Sequence, residues 1–82
     1  MTFEVKVNDV SGAIERGLRA VEKRGGKFSG DNVKGEFFCK GVQGVYTVGY
    51  DGKIEISVQK KTAAASWTPD SVIEKEIRKI FD

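Results

Sequence analysis

The stretch KGVQGVYTVGYDGKIEISV, residues 40–58, has the most regular pattern in the chain and decides the fold. Apolar and polar residues alternate on both sides of Asp51 and Gly52, and those two residues are typical of a tight turn. Gly52 is suited to the left-handed conformation that closes a hairpin loop. The stretch therefore predicts a β-hairpin.

Two registers of this hairpin are compatible with the turn residues. A two-residue loop would put the apolar side chains before the turn on the face opposite those after it. A three-residue loop, residues 50–52, sets Val48 opposite Ile54 instead. The same register sets Tyr46 opposite Ile56. Because it gathers the apolar side chains on one face, we expect the three-residue loop.

Outside the hairpin, three segments have recognisable patterns. Alternation predicts strands over residues 2–7 and 33–39. Between them, helical spacing predicts a helix that is capped by Asn8 or Asp9 and stops at Gly25 and Gly26. The segment 27–29 is expected to be extended or the start of a strand. We expect a close approach to a strand at the glycine in the middle of this helix, Gly17.

The C-terminal part predicts a second helix with a clear start. Thr68 is placed to cap it, Pro69 to occupy its first position, and Trp67 to pack across the cap onto Val72. Before it, the small and polar run KKTAAAS, residues 60–66, is expected to be a mobile connection.

These elements follow one another in the order β-α-β-β-β-α. They predict a single α+β domain over residues 1–82, with a mostly antiparallel four-stranded sheet and both helices packed on one face. The first strand is expected at one edge of the sheet. If the first helix is an ordinary crossover, that strand runs parallel to its neighbour.

The composition argues against several classes of function. The chain has no His, its only cysteine is Cys39, and its net charge is +2. Without His the usual general base and metal ligand are missing, so we expect no catalytic residues, no metal site, no cofactor and a non-enzymatic protein. The small charge disfavours nucleic acid as a partner. No apolar run is long enough for a membrane span, and the expected location is the cytoplasm.

Short motifs in residues 30–82 resemble those of a bacterial family, the polyhydroxyalkanoic acid system proteins. The resemblance covers GDNV at 30–33, GVQG at 41–44, the alternation of Tyr46 and Val48, the turn at Asp51, IEI at 54–56 and IEKEI at 73–77. It implies a small accessory or binding protein linked to storage-polyester metabolism, and it carries no catalytic residues. The chain departs from the family by lacking His and by having KKTAAAS before the last helix.

The expected contact surface is the sheet face away from the helices, with Phe38, Val45 and Tyr50 as candidate residues. Its partner would be a protein or a polyester granule surface. Two alternatives remain open. One is a homodimer that pairs through this face; otherwise the chain is a monomer. The other is an RNA-binding module like the double-stranded-RNA-binding domain, with Lys60 and Lys61 near a helix start, although Pro69 argues against it.

Overall fold

Eight elements follow one another along residues 1–81, the part of the chain that the computed structural model describes; the side chains of residues 63 and 64 lie outside that description. The helices are α1, Val10–Lys23, and α2, Asp70–Phe81, with a 3₁₀ helix at Ala63–Trp67. The strands are β1, Thr2–Lys6; β2, Lys27–Gly30; β3, Lys34–Cys39; β4, Val42–Val48; and β5, Lys53–Lys61.

The fold is α+β, but the sheet has five strands and not the four predicted. Their order is β1-β5-β4-β3-β2, and every neighbouring pair is antiparallel. The additional strand is β2, in the segment expected to be extended or the start of a strand but not counted among the four. The expectation that β1 runs parallel to its neighbour was also wrong, because β1 pairs antiparallel with β5.

Helix α1 explains why β1 and β2 lie at opposite edges. Its 14 residues make a rod about 21 Å long. Four inter-strand spacings of about 4.8 Å amount to about 19 Å. Together with the loops at its two ends, the helix can therefore carry the chain from β1 at one edge to β2 at the other, instead of to a neighbouring strand.

The predicted hairpin register is confirmed. Val48 pairs with Ile54, and Tyr46 pairs with Ile56 on the buried face. Residues 50–52 form the three-residue loop, and Gly52 has φ of +78°. The Gly49 N–H donates to the Lys53 carbonyl at 2.9 Å, which closes the loop.

Both helices pack on one face of the sheet over a single core. Its centre is a cluster of four rings from three strands and α2: Phe28, Phe37, Tyr46 and Phe81. The Tyr46 hydroxyl donates to the Asp31 carbonyl at 2.8 Å. The ring of Tyr46 lies on Gly35, where an added Cβ would come within 2.5 Å of it. The cluster ties β2, β3 and the C-terminal helix to the hairpin.

Helix α1 begins and packs largely as the pattern predicts. The Asp9 side chain caps it by accepting from the Gly12 N–H at 3.2 Å. At Gly17, however, the closest approach is to helix α2, and the expected strand contact, the ring of Phe28 in β2, comes second at 3.4 Å from an added Cβ. An added Cβ there would lie 2.8 Å from the ring of Phe81 in α2. Arg16 donates to the Phe81 carbonyl at 3.2 Å, so α1 also caps the end of α2.

The segment expected to be a mobile connection consists of regular structure. A register shift at Gln43/Gly44 lets β4 continue to pair with the end of β5, so Lys60 and Lys61 belong to that strand. The 3₁₀ helix follows at once. Thr62 ties this region to the preceding turn, since its N–H donates to the Gly41 carbonyl at 2.7 Å.

Helix α2 begins at Asp70, one residue later than predicted. The Pro69 carbonyl accepts from the N–H of Ile73 at 3.2 Å. The predicted packing of Trp67 onto Val72 was wrong, because the Trp67 side chain is 88% exposed. What holds the helix start is Lys61, whose ammonium lies 2.7 Å from the Asp70 carboxylate.

Within residues 1–81, no helix is both long and apolar enough to cross a membrane.

Candidate functional site

The three residues of the predicted contact surface do not come together. Phe38 is 45% exposed and lies on the face away from the helices, diagonal to the half-buried Val45. Tyr50 is fully exposed in the β4–β5 loop. Gln43, the partner of Phe38, is separated from Tyr50 by the length of β4, which is about 23 Å at ~3.3 Å per residue. Phe38 and Tyr50 therefore lie at opposite ends of the sheet.

A surface hollow of about 600 Å³ lies beside Phe38, with Phe37 and Gln43 also in its walls. Its rim carries three charged residues, Glu22, Lys27 and Glu36. Charges of both signs at the rim make this hollow a poor site for an apolar ligand. The helix side of the sheet has a more apolar pocket.

A second, smaller cavity of about 320 Å³ lies beneath helix α2. The backbone of α2 approaches α1 and β1 more closely than it approaches β3 and β4, which leaves a space over those strands. We call this space the α2 cavity. Its apolar walls are formed by Phe37, Val42, Ala65, Val72, Ile73, Ile77 and Ile80.

Three connections frame the mouth of the α2 cavity. The loop after α1 lies against the end of β3, where an added Cβ at Gly26 would be 3.1 Å from the Cα of Cys39. The β3–β4 turn is a two-residue loop in which both residues have positive φ, +50° at Lys40 and +81° at Gly41. Thr62 holds this turn by donating from its hydroxyl to the Gly41 carbonyl at 3.2 Å. The mouth is thus built from backbone held in place by hydrogen bonds.

The polar residues that line the cavity are few and stand near its mouth: Arg24, Cys39, Lys40, Thr68 and Glu76. Arg24 donates to the Ala20 carbonyl at 3.0 Å. Glu76 lies 3.6 Å from the Lys79 ammonium on the same helix. Cys39, the only cysteine, is half-buried. An apolar interior with polar groups around its opening is the usual form of a small-molecule site.

The groups with shifted pKa values are structural and lie outside the α2 cavity. The backbone N–H groups of Lys34 and Val33 donate to the Asp31 carboxylate and lower its pKa. A backbone hydrogen bond from Lys53 lowers the pKa of Asp51, and the Lys61 ammonium lowers that of Asp70. Burial raises the pKa of Tyr46. None of these groups lines the cavity, so the shifts indicate turns and an ion pair and not a catalytic centre.

Within residues 1–81, no three Cys, Asp or Glu side chains are grouped as metal ligands. Every buried side-chain nitrogen and oxygen in that range has a hydrogen-bond partner. The arrangement can enclose an apolar group and contact a polar head at the mouth.

The lysines of the RNA-binding alternative occupy positions unlike those expected. Lys60 and Lys61 lie in strand β5, whereas the sequence predicts a loop. The Lys61 ammonium contacts the Asp70 carboxylate at 2.7 Å and the Thr68 carbonyl at 3.5 Å. A lysine held by a neighbouring carboxylate contributes less to binding phosphates, so this alternative gains nothing from the structure.

Comparisons of the chain with protein-family models, with curated proteins and with solved structures returned no match. The resemblance to polyhydroxyalkanoic acid system proteins therefore stays a prediction. Ile73, Ile77 and Ile80 recur at helical spacing, which indicates one apolar helix face but does not indicate the cavity. Apolar periodicity shows which side chains face inward and not how far the opposing layer stands from them.

Proposed function

We propose that this chain is a small non-enzymatic binding protein that takes up an apolar ligand in the α2 cavity. The observation that carries the proposal is the cavity itself, about 320 Å³ of space between α2 and strands β3 and β4. A concave space of this size that is open to solvent and has mostly apolar walls is the usual form of a small-molecule binding site.

The size of the cavity sets the expected strength of binding. Burying roughly 200 Å² of apolar ligand surface at ~25 cal/mol per Å² contributes about 5 kcal/mol. That free energy corresponds to a dissociation constant on the order of 0.1–1 mM. We therefore expect weak, fast-exchanging binding, which is best measured by NMR.

The test is a titration with octanol, an uncharged apolar probe, followed by amide chemical shifts. Val42→Phe places a ring in the cavity wall and should weaken octanol binding at least about tenfold, because the ring occupies the ligand's space. The matched control is Val33→Phe, since Val33 is 64% exposed in the turn at the far end of β3. We expect the control to bind octanol like the wild type.

Circular dichroism melting of both variants separates loss of the cavity from loss of the fold. If folded Val42→Phe binds octanol as tightly as the wild type, the cavity is not the site. If the wild type shows no saturable shifts, the chain does not bind apolar ligands and the proposed function fails.

We extend the proposal to storage-polyester metabolism on the strength of the sequence resemblance alone. A polyester surface presents apolar chains, which are the kind of group that the α2 cavity would accept. Cosedimentation with polyhydroxyalkanoate granules should carry the wild type into the pellet and Val42→Phe less so.

Phe38→Ser tests the open sheet face. If only Phe38→Ser is lost from the pellet, that face makes the contact; if the wild type stays in the supernatant, the polyester link fails.

A further inference from the structure

The mouth of the α2 cavity carries two cations without a carboxylate partner. Arg24 and Lys40 both line the cavity. Among residues 1–81, neither lies within 4.0 Å of a carboxylate oxygen. The one acidic residue of the lining, Glu76, has Lys79 beside it at 3.6 Å. The side chains around the opening therefore carry more positive than negative charge, whereas the interior of the cavity is apolar.

The carbonyl groups at the C-terminal end of helix α1 do not neutralise the positive charge at the mouth of the cavity. Its last carbonyls already accept hydrogen bonds from the N–H groups of Arg24, Gly25 and Gly26. Of the five guanidinium N–H donors of Arg24, one is used by the Ala20 carbonyl. The others remain able to bind an anion.

The backbone at Lys40 is a further observation. With φ of +50°, Lys40 is the only residue other than glycine with positive φ among those described. Asn, Asp or Gly would suit this turn position better than a lysine. Lys40 has a backbone conformation that favours other residues, and it lies at the mouth of a cavity. Together these two facts point to a function of its ammonium group.

We propose that the α2 cavity binds a medium-chain carboxylate, with the alkyl chain inside and the carboxylate at Arg24 and Lys40. This inference rests on the proposed function of the same cavity. A carboxylate forms charge-assisted hydrogen bonds with guanidinium and ammonium groups, which are stronger than those of a neutral head. The volume lies near the lower limit of small-molecule pockets, about 300 Å³, which suits an alkyl chain of medium length.

The experiment compares three probes with the same alkyl chain and different heads: octanoate, octanol and octylammonium. All are titrated at neutral pH and low salt into the wild type and into Arg24→Gln/Lys40→Asn. Asn suits the positive φ at position 40, so this variant should stay folded. The control Lys6→Gln/Lys34→Gln removes two positive charges from exposed strand positions and keeps the same net charge as the test variant.

We expect octanoate to bind the wild type and the control about tenfold more tightly than octanol does. In Arg24→Gln/Lys40→Asn this preference should disappear while octanol binding is unchanged. Equal binding of octanol and octanoate, or tighter binding of octylammonium, would overturn the carboxylate inference and leave the proposed function standing. Equal losses for octanol and octanoate in the test variant would also overturn it, because the two residues would then be structural. If no probe binds, the proposed function fails as well.

Discussion

At the scale of single residues, the packing of Tyr46 on Gly35 joins the hairpin to the rest of the sheet. The ring has little freedom to move. Its hydroxyl donates to the Asp31 carbonyl at 2.8 Å, and its faces and edge meet Phe28 and Phe81 with ring centroids 5.5 and 6.1 Å away. A side chain at position 35 would therefore have to displace a ring held on several sides.

Gly35→Ala tests this contact. The new Cβ would lie 2.5 Å from the Tyr46 ring, and we expect overpacking to cost about 1–3 kcal/mol of unfolding free energy. Urea titration measures it. Gly49→Ala is the control, since its Cβ would meet an exposed Asp51 side chain at 3.3 Å and the Lys53 carbonyl at an ordinary 3.7 Å, and we expect a change within about 0.5 kcal/mol. Equal effects of the two substitutions would contradict the account.

Three carboxylates predict how stability depends on pH. Asp31, Asp51 and Asp70 all have a pKa lowered from the ordinary 3.8 by hydrogen bonds or a cation in the folded state. Their ionised forms therefore stabilise the fold above pH 3.8, and this contribution is lost as the pH falls through the lowered values.

We expect the unfolding free energy to decline on acidification, with much of the loss below pH 3.8. The variant Asp31→Asn/Asp51→Asn/Asp70→Asn keeps an acceptor oxygen at each position but cannot be protonated there. The unfolding free energy of this variant should change less than that of the wild type between neutral and acidic pH. Urea titrations across this range measure the slope, and a variant as acid-sensitive as the wild type would show that other groups are responsible.

At the scale of elements, the sequence predicts the hairpin well because its apolar residues alternate without interruption. Tyr46 and Ile56 can share a face in only one of the two registers, and that register is the one found. Strand β2 was expected only as an extended segment or a strand start, because Phe28 is the only apolar side chain among its four residues. The 3₁₀ helix was missed because its small residues have no period, and tertiary contacts such as that of Thr62 with Gly41 fix it instead.

The start of helix α2 gives a prediction at this scale. Lys61→Met removes the ion pair with Asp70 and the contact with the Thr68 carbonyl, and we expect a loss of about 1 kcal/mol that shrinks at high salt. Trp67→Ala should change stability by less than about 0.5 kcal/mol, since the indole is 88% exposed. Urea titration of both variants checks this.

Lys53→Met is the control for an exposed pair, because its ammonium lies 3.5 Å from Asp51 and both side chains are largely in solvent. We expect it to cost less than Lys61→Met. A larger effect of Trp67→Ala than of Lys61→Met would mean that the tryptophan holds the helix start after all.

At the scale of the whole molecule, the two helices cover different parts of the sheet. Helix α1 packs on β2 and β3 and against α2, helix α2 lies nearer β1, and the space between α2 and strands β3 and β4 is the α2 cavity. The sequence indicates which side chains of the helices and of the sheet point inward. It does not indicate the α2 cavity, because this space depends on the connections that frame its mouth. The candidate site is therefore a property of the assembled fold.

The most direct test of the central claim is the position of a bound apolar probe. Intermolecular nuclear Overhauser effects should be measured between octanol and the methyl groups of the protein. We predict contacts from the octanol chain to the methyls of Val42, Ile73 and Ile77, which line the α2 cavity. Contacts confined to exposed methyls such as those of Val33, or no contacts at saturating octanol, would contradict the account.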